Sequence, residues 1–253
     1  MRVQFPPRAP TIMPELPEVE IVVRQLRARL RSRTIRRVEI CDPKIKLPHP
    51  LAGARILRIH RRAKFIIFDL TGPQHLVIHL RMTGWFEYAI PPRYRLAIHA
   101  GQAVAYFTDS RRFGTVELLS TPQLTEKLAK LGPEPFQFES HQFQNSTRPI
   151  KVALLDQSLI AGVGNIYACE ALWRARVNPR RPAHRLLPTE CRRLQRSLVA
   201  AMRKGLSYGP RIFAVQEFYA YDRTGKPCRR CRTPIRRIVL AQRSTFYCPH
   251  CQA

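Results

Sequence analysis

Two stretches of the 253-residue chain place residue types at spacings that suit chemistry. Near the C-terminus, Cys228 and Cys231 form one C-x-x-C pair and Cys248 and Cys251 a second, with sixteen residues between the pairs. Four soft thiolates on two tight turns match the tetrahedral preference of zinc, against the competing use of such pairs in redox exchange. With all four positions taken by sulfur no place is left for a catalytic water, so a single structural zinc ion is expected. Near the other end, MPELPEVE (13–20) sets Pro14 after an internal methionine and puts Glu15, Glu18 and Glu20 within six residues. Pro17 and Glu18 suit a helical first turn, because proline pre-sets φ and carboxylates complement the helix dipole. Helix initiation does not account for Met13-Pro14-Glu15.

The elements that must position these groups follow from periodicity. Val19, Val22, Val23, Leu26 and Leu30 recur at helical spacing with Arg24, Arg27, Arg29 and Arg31 turned outward, which predicts an amphipathic helix to about residue 31. The stretches TIRRVEI, RILRIHRRAKFIIFDL, HLVIHL, WFEYAI, RLAIHA and AVAYFTD are β-branched or aromatic and separated by glycine and proline. They predict an antiparallel sandwich or barrel under the first helix. From Thr121 the pattern turns helical, with GPEP at 132–135 as a linker and helices to about residue 206. The class expected is α+β, an N-terminal β-sandwich with a covering helix followed by a helical domain and a terminal zinc ribbon.

Within the helical part, PIKVALLDQSLIAGVGNIYACEALW (149–173) predicts a helix ending near Asp156, a turn with Gly162 and Gly164, and a second helix capped by Asn165. Glycines permit close backbone approach and the amides of a helix start bind anions, although a plain helical hairpin reads the same way. Net charge favours the anion. The 44 Lys and Arg against 17 Asp and Glu give +27 and a pI near 11.1, spread along the chain rather than gathered on one amphipathic helix. A nucleic acid is the expected partner and a membrane is not. No apolar run has membrane-spanning length and residues 1–12 lack the features of a secretory signal, so a cytoplasmic or nucleoid location is expected. Cys41, Cys169 and Cys191 are expected to be buried small apolar residues.

From Met13 onward the chain resembles the formamidopyrimidine-DNA glycosylase and endonuclease VIII family of base-excision repair enzymes. The resemblance rests on MPELPEVE, RRAK (61–64), HLRMTG (79–84), DSRRFG (109–114), LGPEP, GVGNIYACE (162–170) and QRSTFYC, in that order. It implies a catalytic β-sandwich domain over 13–131, a helix-two-turn-helix domain over 132–216 and a zinc ribbon over 217–253, with a preceding extension over 1–12. It implies a monomer acting on double-stranded DNA that contains damaged bases or abasic sites, held in the cleft between the domains.

The resemblance also gives Met13-Pro14-Glu15 a purpose. A peptide nitrogen has its lone pair delocalised into the carbonyl, but the secondary amine of an N-terminal proline attacks a sugar carbon and titrates near neutrality. Pro14 is thereby implied as the nucleophile of a glycosylase and lyase that works through a Schiff base and β,δ-elimination, with translation beginning at Met13. Glu15 is implied as the adjacent acid/base, and Glu18 as a support. Lys64, otherwise a solvated charge, becomes a second cationic catalyst. Met82, Arg111 and Phe113 match the residues pushed into the duplex. Lys151 and Asn165 match phosphate contacts, and Arg243 the ribbon arginine that assists elimination. The alternatives are a non-catalytic damaged-DNA-binding relative that has lost the amine, and a zinc-ribbon RNA- or ribosome-binding protein suggested by charge.

Several positions depart from the family pattern. Arg81 stands at a usual glycine, Ser110 at a usual proline and Thr83 at a usual serine. PPRYR replaces a histidine motif before RLAIHA, so one phosphate contact is lost or passes to Arg93 or Arg95. GLSYGPRIFAVQEF (205–218) is shorter than the segment that folds over oxidised guanine in purine-specific members, which leaves hydantoins, formamidopyrimidines and oxidised pyrimidines equally eligible.

Overall fold

The computed structural model describes residues 13–209 and 217–253, which fall into two compact units, 13–128 with Gly209 and 129–208 with 217–253. In the first unit, α1 (Leu16–Leu30) is started by a capping box in which Glu15 is the N-cap and the Glu18 carboxylate returns to the Glu15 amide. Its stripe of Val19, Val22, Val23, Leu26 and Leu30 is fully buried, each side chain contributing about 1.5–3 kcal/mol by leaving water.

Eight strands follow: β1 (Ile35–Ile40), β2 (Ile56–Arg62), β3 (Phe65–Leu70), β4 (Gln74–His79), β5 (Trp85–Glu87), β6 (Leu96–Ala100), β7 (Ala103–Thr108) and β8 (Thr115–Ser120). They form two antiparallel sheets, ordered β1-β6-β7-β5 and β2-β3-β4-β8, whose inner faces share one core with the α1 stripe. This is the expected sandwich. The sequence reading did not predict β8, because TVELLS runs straight into α2 (Thr121–Ala129) with no loop between them. FIIFDL fails to alternate because β3 is buried on both sides: Ile66 and Phe68 face the sandwich, while Ile67 joins Val77 and Leu124 of α2 on the other face.

The second unit carries α3 (Ile150–Leu155), α4 (Asn165–Ala175), α5 (Pro188–Ser207) and a hairpin of β9 (Arg236–Leu240) and β10 (Arg243–Tyr247). α4 lies against both α5 and β10. The approach to α5 is close at Gly205, where an added Cβ would stand 2.2 Å from the Tyr167 hydroxyl. The N-cap of α4 is Gly164, not Asn165. Asn165 occupies the first helical position, and its amide is used across the fold instead. Among the described residues no helix is long and apolar enough to cross a membrane.

Candidate active site and nucleic-acid interface

Pro14 and Glu15 are buried at the start of α1, with Glu15 only 1% exposed. Glu18, fully buried, accepts the Glu15 backbone N–H at 2.9 Å, which fixes the direction in which Pro14 and the Glu15 side chain leave the helix. Its expected supporting place is thus a backbone clamp. Residues 1–12 lie outside the described residues, as do 210–216 in the short segment before the ribbon.

Lys64 sits in the two-residue turn between β2 and β3, next to Ala63 in a left-handed conformation (φ 53°). Its charge reaches His79, whose imidazole is pushed down to about 3, first by burial and then by Arg81, Lys64 and Lys127. His79 is therefore neutral, and its Nδ1 accepts the Arg81 backbone N–H at 3.0 Å. That bond holds Arg81 at φ 55°, a conformation that favours glycine and costs an ordinary residue roughly 1–2 kcal/mol. A glycine would hold this conformation without that cost, and at Arg81 the hydrogen bond to His79 supports it.

Met82 is half-buried directly after Arg81, while Arg111 and Phe113 are exposed, Phe113 at 58%. The two loops are joined, since Thr83 Oγ1 donates to Asp109 and accepts the Arg111 backbone N–H at 3.2 Å. Arg95 is buried beneath them. Its Nε donates to Asp42 at 2.6 Å and its Nη1 to Asp109 at 3.0 Å and to the Gly114 carbonyl at 2.7 Å. A guanidinium so enclosed cannot meet a phosphate, which rules out one of the two residues expected to take over the contact of the missing histidine motif. Arg93 remains exposed. Arg112 binds both Asp42 oxygens through its Nε and Nη2 and, with Arg95, holds that carboxyl well below its ordinary range.

In the second unit a cavity of about 590 Å³ is lined by Asn165, Tyr221, Arg237, Gln242, Arg243 and Ser244, among others. Asn165 donates from Nδ2 to the Ser244 carbonyl at 2.9 Å, and its Oδ1 accepts from Lys151 Nζ. Lys151, expected to meet a phosphate, is itself fully buried, and its Nζ is turned to Asn165 Oδ1. Arg243 opens β10 after a two-residue turn whose Ala241 (φ 44°) and Gln242 (φ 60°) are both left-handed, and its side chain is exposed at the cavity. Sequence reasoning missed Tyr221 and Glu170. The Glu170 carboxylate accepts three successive backbone N–H groups, from Tyr219, Ala220 and Tyr221, at 2.8–3.1 Å, and so seats Tyr221 at the cavity. Burial raises its pKa against those donors. Glu170 closes the GVGNIYACE motif, but its partners lie 49 to 51 residues away and leave no local signal.

The sulfurs of Cys228, Cys231, Cys248 and Cys251 all lie within 4.8 Å of one another. Backbone N–H groups of Arg230 and Cys251 point at Cys228 and Cys248 sulfurs at 3.4 Å, and Trp173 Nε1 donates to Cys228 at 3.3 Å. Donors aimed at sulfur suit thiolates, so the donor set fits one zinc ion. Cys169 and Cys191 are buried as expected, but Cys41 is exposed, because it lies just beyond the end of β1.

A β-sandwich led by a capped Pro-Glu start, followed by a helical unit bearing a four-cysteine cluster and a cavity lined by arginines, defines an α+β protein with a C-terminal zinc ribbon. Three family models match in order: the formamidopyrimidine-DNA glycosylase N-terminal domain over residues 13–116, its H2TH domain over 131–218, and the zinc finger found in FPG and IleRS over 225–253. The chain belongs to the formamidopyrimidine-DNA glycosylase family. It is 40% identical to the formamidopyrimidine-DNA glycosylase of Chloroflexus aurantiacus over 95% of this chain and 98% of that protein. With the Thermus thermophilus enzyme of the same name it shares 41% identity at the same two coverages. The Lactococcus lactis Fpg, solved in complex with DNA containing N7-benzyl-Fapy-dG, superposes with a TM-score of 0.85 at 33% identity, covering 94% of this chain and 99% of that one.

Proposed function

We propose that this chain is a bifunctional DNA glycosylase and abasic-site lyase that removes oxidised bases inside the cell, with Pro14 as nucleophile. The observation that carries the reading is that the family's first domain begins its match at residue 13, so the residue after that methionine is a proline with a clamped glutamate beside it. In this reading the Pro14 amine attacks C1′ of the damaged nucleotide and the bond from C1′ to the base breaks. Glu15 delivers the proton that opens the sugar ring, leaving an iminium between Pro14 and C1′. Loss of the C2′ proton expels the 3′ phosphate, and a second elimination expels the 5′ phosphate. Lys64 and Arg243 supply positive charge to these departures, and Asn165, backed by Lys151, holds a flanking phosphate. Met82, Arg111 and Phe113 fill the gap left by the extruded nucleotide, offsetting an unstacking cost of a few kcal/mol.

The catalytic part is assigned to 13–131, DNA holding to 132–216 and the ribbon to 217–253, in a monomer. The alignment with the Chloroflexus enzyme spans 272 positions against 253 residues here, so that relative has segments this chain lacks. Formamidopyrimidines, hydantoins and oxidised pyrimidines are equally eligible substrates in this reading, beside 8-oxoguanine. Borohydride trapping on duplex DNA with an abasic site tests the nucleophile. A chain beginning at Pro14 should form the covalent adduct and a chain retaining residues 1–12 should not. Equal trapping by Pro14→Gly in a chain that still starts at Met1 would discard the assignment of the nucleophile, whereas no trapping even by the chain beginning at Pro14 would leave the reading of a non-catalytic DNA-binding relative.

A further inference from the structure

The loop DSRRFG is held from below by buried charge. Asp109 is 6% exposed and its side chain fully enclosed; Arg95 and Asp42 are 5% and 4% exposed. Asp109 Oδ2 accepts both Arg95 Nη1 at 3.0 Å and the Gly114 backbone N–H at 2.7 Å, so one carboxylate closes the loop from its first residue to its last. Gly114 permits this approach, since a Cβ there would come 2.8 Å from the Phe107 ring and 3.0 Å from that same oxygen. Arg112 adopts φ 57° and bonds Asp42 while its side chain stays partly exposed, and Ser110, Arg111 and Phe113 are exposed beside it. Asp109 Oδ1 takes the Thr83 hydroxyl, and Thr83 takes the Arg111 amide, so the loop that carries Met82 is bonded to the loop that carries Arg111 and Phe113.

Buried ion pairs rarely add net stability over apolar residues of equal volume, because desolvation offsets the attraction. What this one adds is direction. Thr83, Asp109, Arg95 and Asp42 come from four separate parts of the first unit, and each bond depends on the next.

We propose that the chain of bonds Asp42–Arg95–Asp109–Thr83 is a latch that makes the Met82 loop and the Arg111–Phe113 loop enter a DNA duplex as one rigid wedge, with Arg95 and Thr83 as positioning residues. The inference rests on the wedge assigned to Met82, Arg111 and Phe113 above and is independent of the Pro14 chemistry. Side chains that must replace lost base stacking have to arrive together, and two loops moving separately would each meet the ordering cost of insertion.

The test uses the full chain and a duplex with a tetrahydrofuran abasic analogue flanked by 2-aminopurine, whose fluorescence rises when its stacking is disturbed. Phe113→Ala serves as the reference, Arg95→Met breaks the buried chain, Arg95→Lys keeps its charge, and Thr83→Val removes a single hydroxyl at little risk to folding. Arg95→Met and Thr83→Val should lose the fluorescence rise and roughly tenfold or more of the preference for abasic over undamaged duplex. Affinity for undamaged duplex should stay within about twofold, which a general loss of structure would not leave intact, and Arg95→Lys should recover part of the signal. If Phe113→Ala loses the signal while Thr83→Val and a folded Arg95→Met retain it, the latch is wrong. If Phe113→Ala also retains it, the wedge assignment itself falls and the latch with it. Should Arg95→Met fail to fold, Thr83→Val alone decides.

Discussion

Trp173 Nε1 donates to the sulfur of Cys228 at 3.3 Å, tying the last turns of α4 to the first ligand of the ribbon. The same indole stacks on Tyr219 with ring centroids 4.8 Å apart and planes at 21°, and the Arg230 guanidinium lies 4.3 Å from its ring centroid. Zinc, helix and ribbon thus share one aromatic side chain.

Replacing Trp173 by Phe keeps much of that stacking and removes the donor. A hydrogen bond to a charged sulfur contributes about 1.5–3 kcal/mol, and outer partners of metal ligands typically tune affinity by about 10–100-fold. Zinc should therefore transfer to a chromogenic chelator distinctly faster from Trp173→Phe than from the parent protein. Equal transfer rates would show that the indole only packs.

Gly205 allows α5 to approach Tyr167, because an added Cβ would stand 2.2 Å from the phenolic oxygen. Gly205→Ala should destabilise the second unit by about 1–3 kcal/mol through overpacking, in spite of alanine's better helix propensity. Combining it with Tyr167→Phe should return part of the loss. Urea titration of both variants measures the coupling, and simple additivity would exclude the clash as the cause.

His79 is kept neutral by burial and by Arg81, Lys64 and Lys127, with its pKa moved from 6.5 to about 3. An imidazole that binds a proton more readily unfolded than folded withdraws stability as pH falls below 6.5, and the loss levels off near 3. Within that window one such group changes unfolding free energy by at most about 1.4 kcal/mol per pH unit. His79→Gln should flatten the dependence of the urea midpoint on pH between about 6 and 4. A parallel slope would assign the dependence to other groups.

At the tip of the ribbon hairpin, Ala241 holds φ 44° in the turn before Arg243. Asparagine tolerates the left-handed region better than alanine, so Ala241→Asn should stabilise the ribbon by about 0.5–1 kcal/mol. Thermal unfolding of the zinc-loaded protein checks the sign; a lower midpoint would mean that the turn is set by its flanking strands.

Local spacing was sufficient for the elements and for the metal. The α1 stripe, most strands of the sandwich and the paired cysteines each announce themselves within a few residues, because helix period, strand alternation and ligand turns are short-range geometry. The proline-glutamate start was not legible in the same way, since local spacing explained only Pro17 and Glu18 and a chemical use for Pro14 and Glu15 came from the family resemblance. The tertiary structure alone decided the placement of charge. Arg95 and Lys151 read from the chain as exposed cations, yet both are buried, one between carboxylates 53 and 14 residues away and the other behind Asn165. Glu170 and Asp109 each gather donors from distant or looped-back backbone, and Cys41 is exposed at a strand end instead of buried. An ionic side chain can be buried only where its partners converge, and that convergence is a property of packed strands and helices with no short sequence signature.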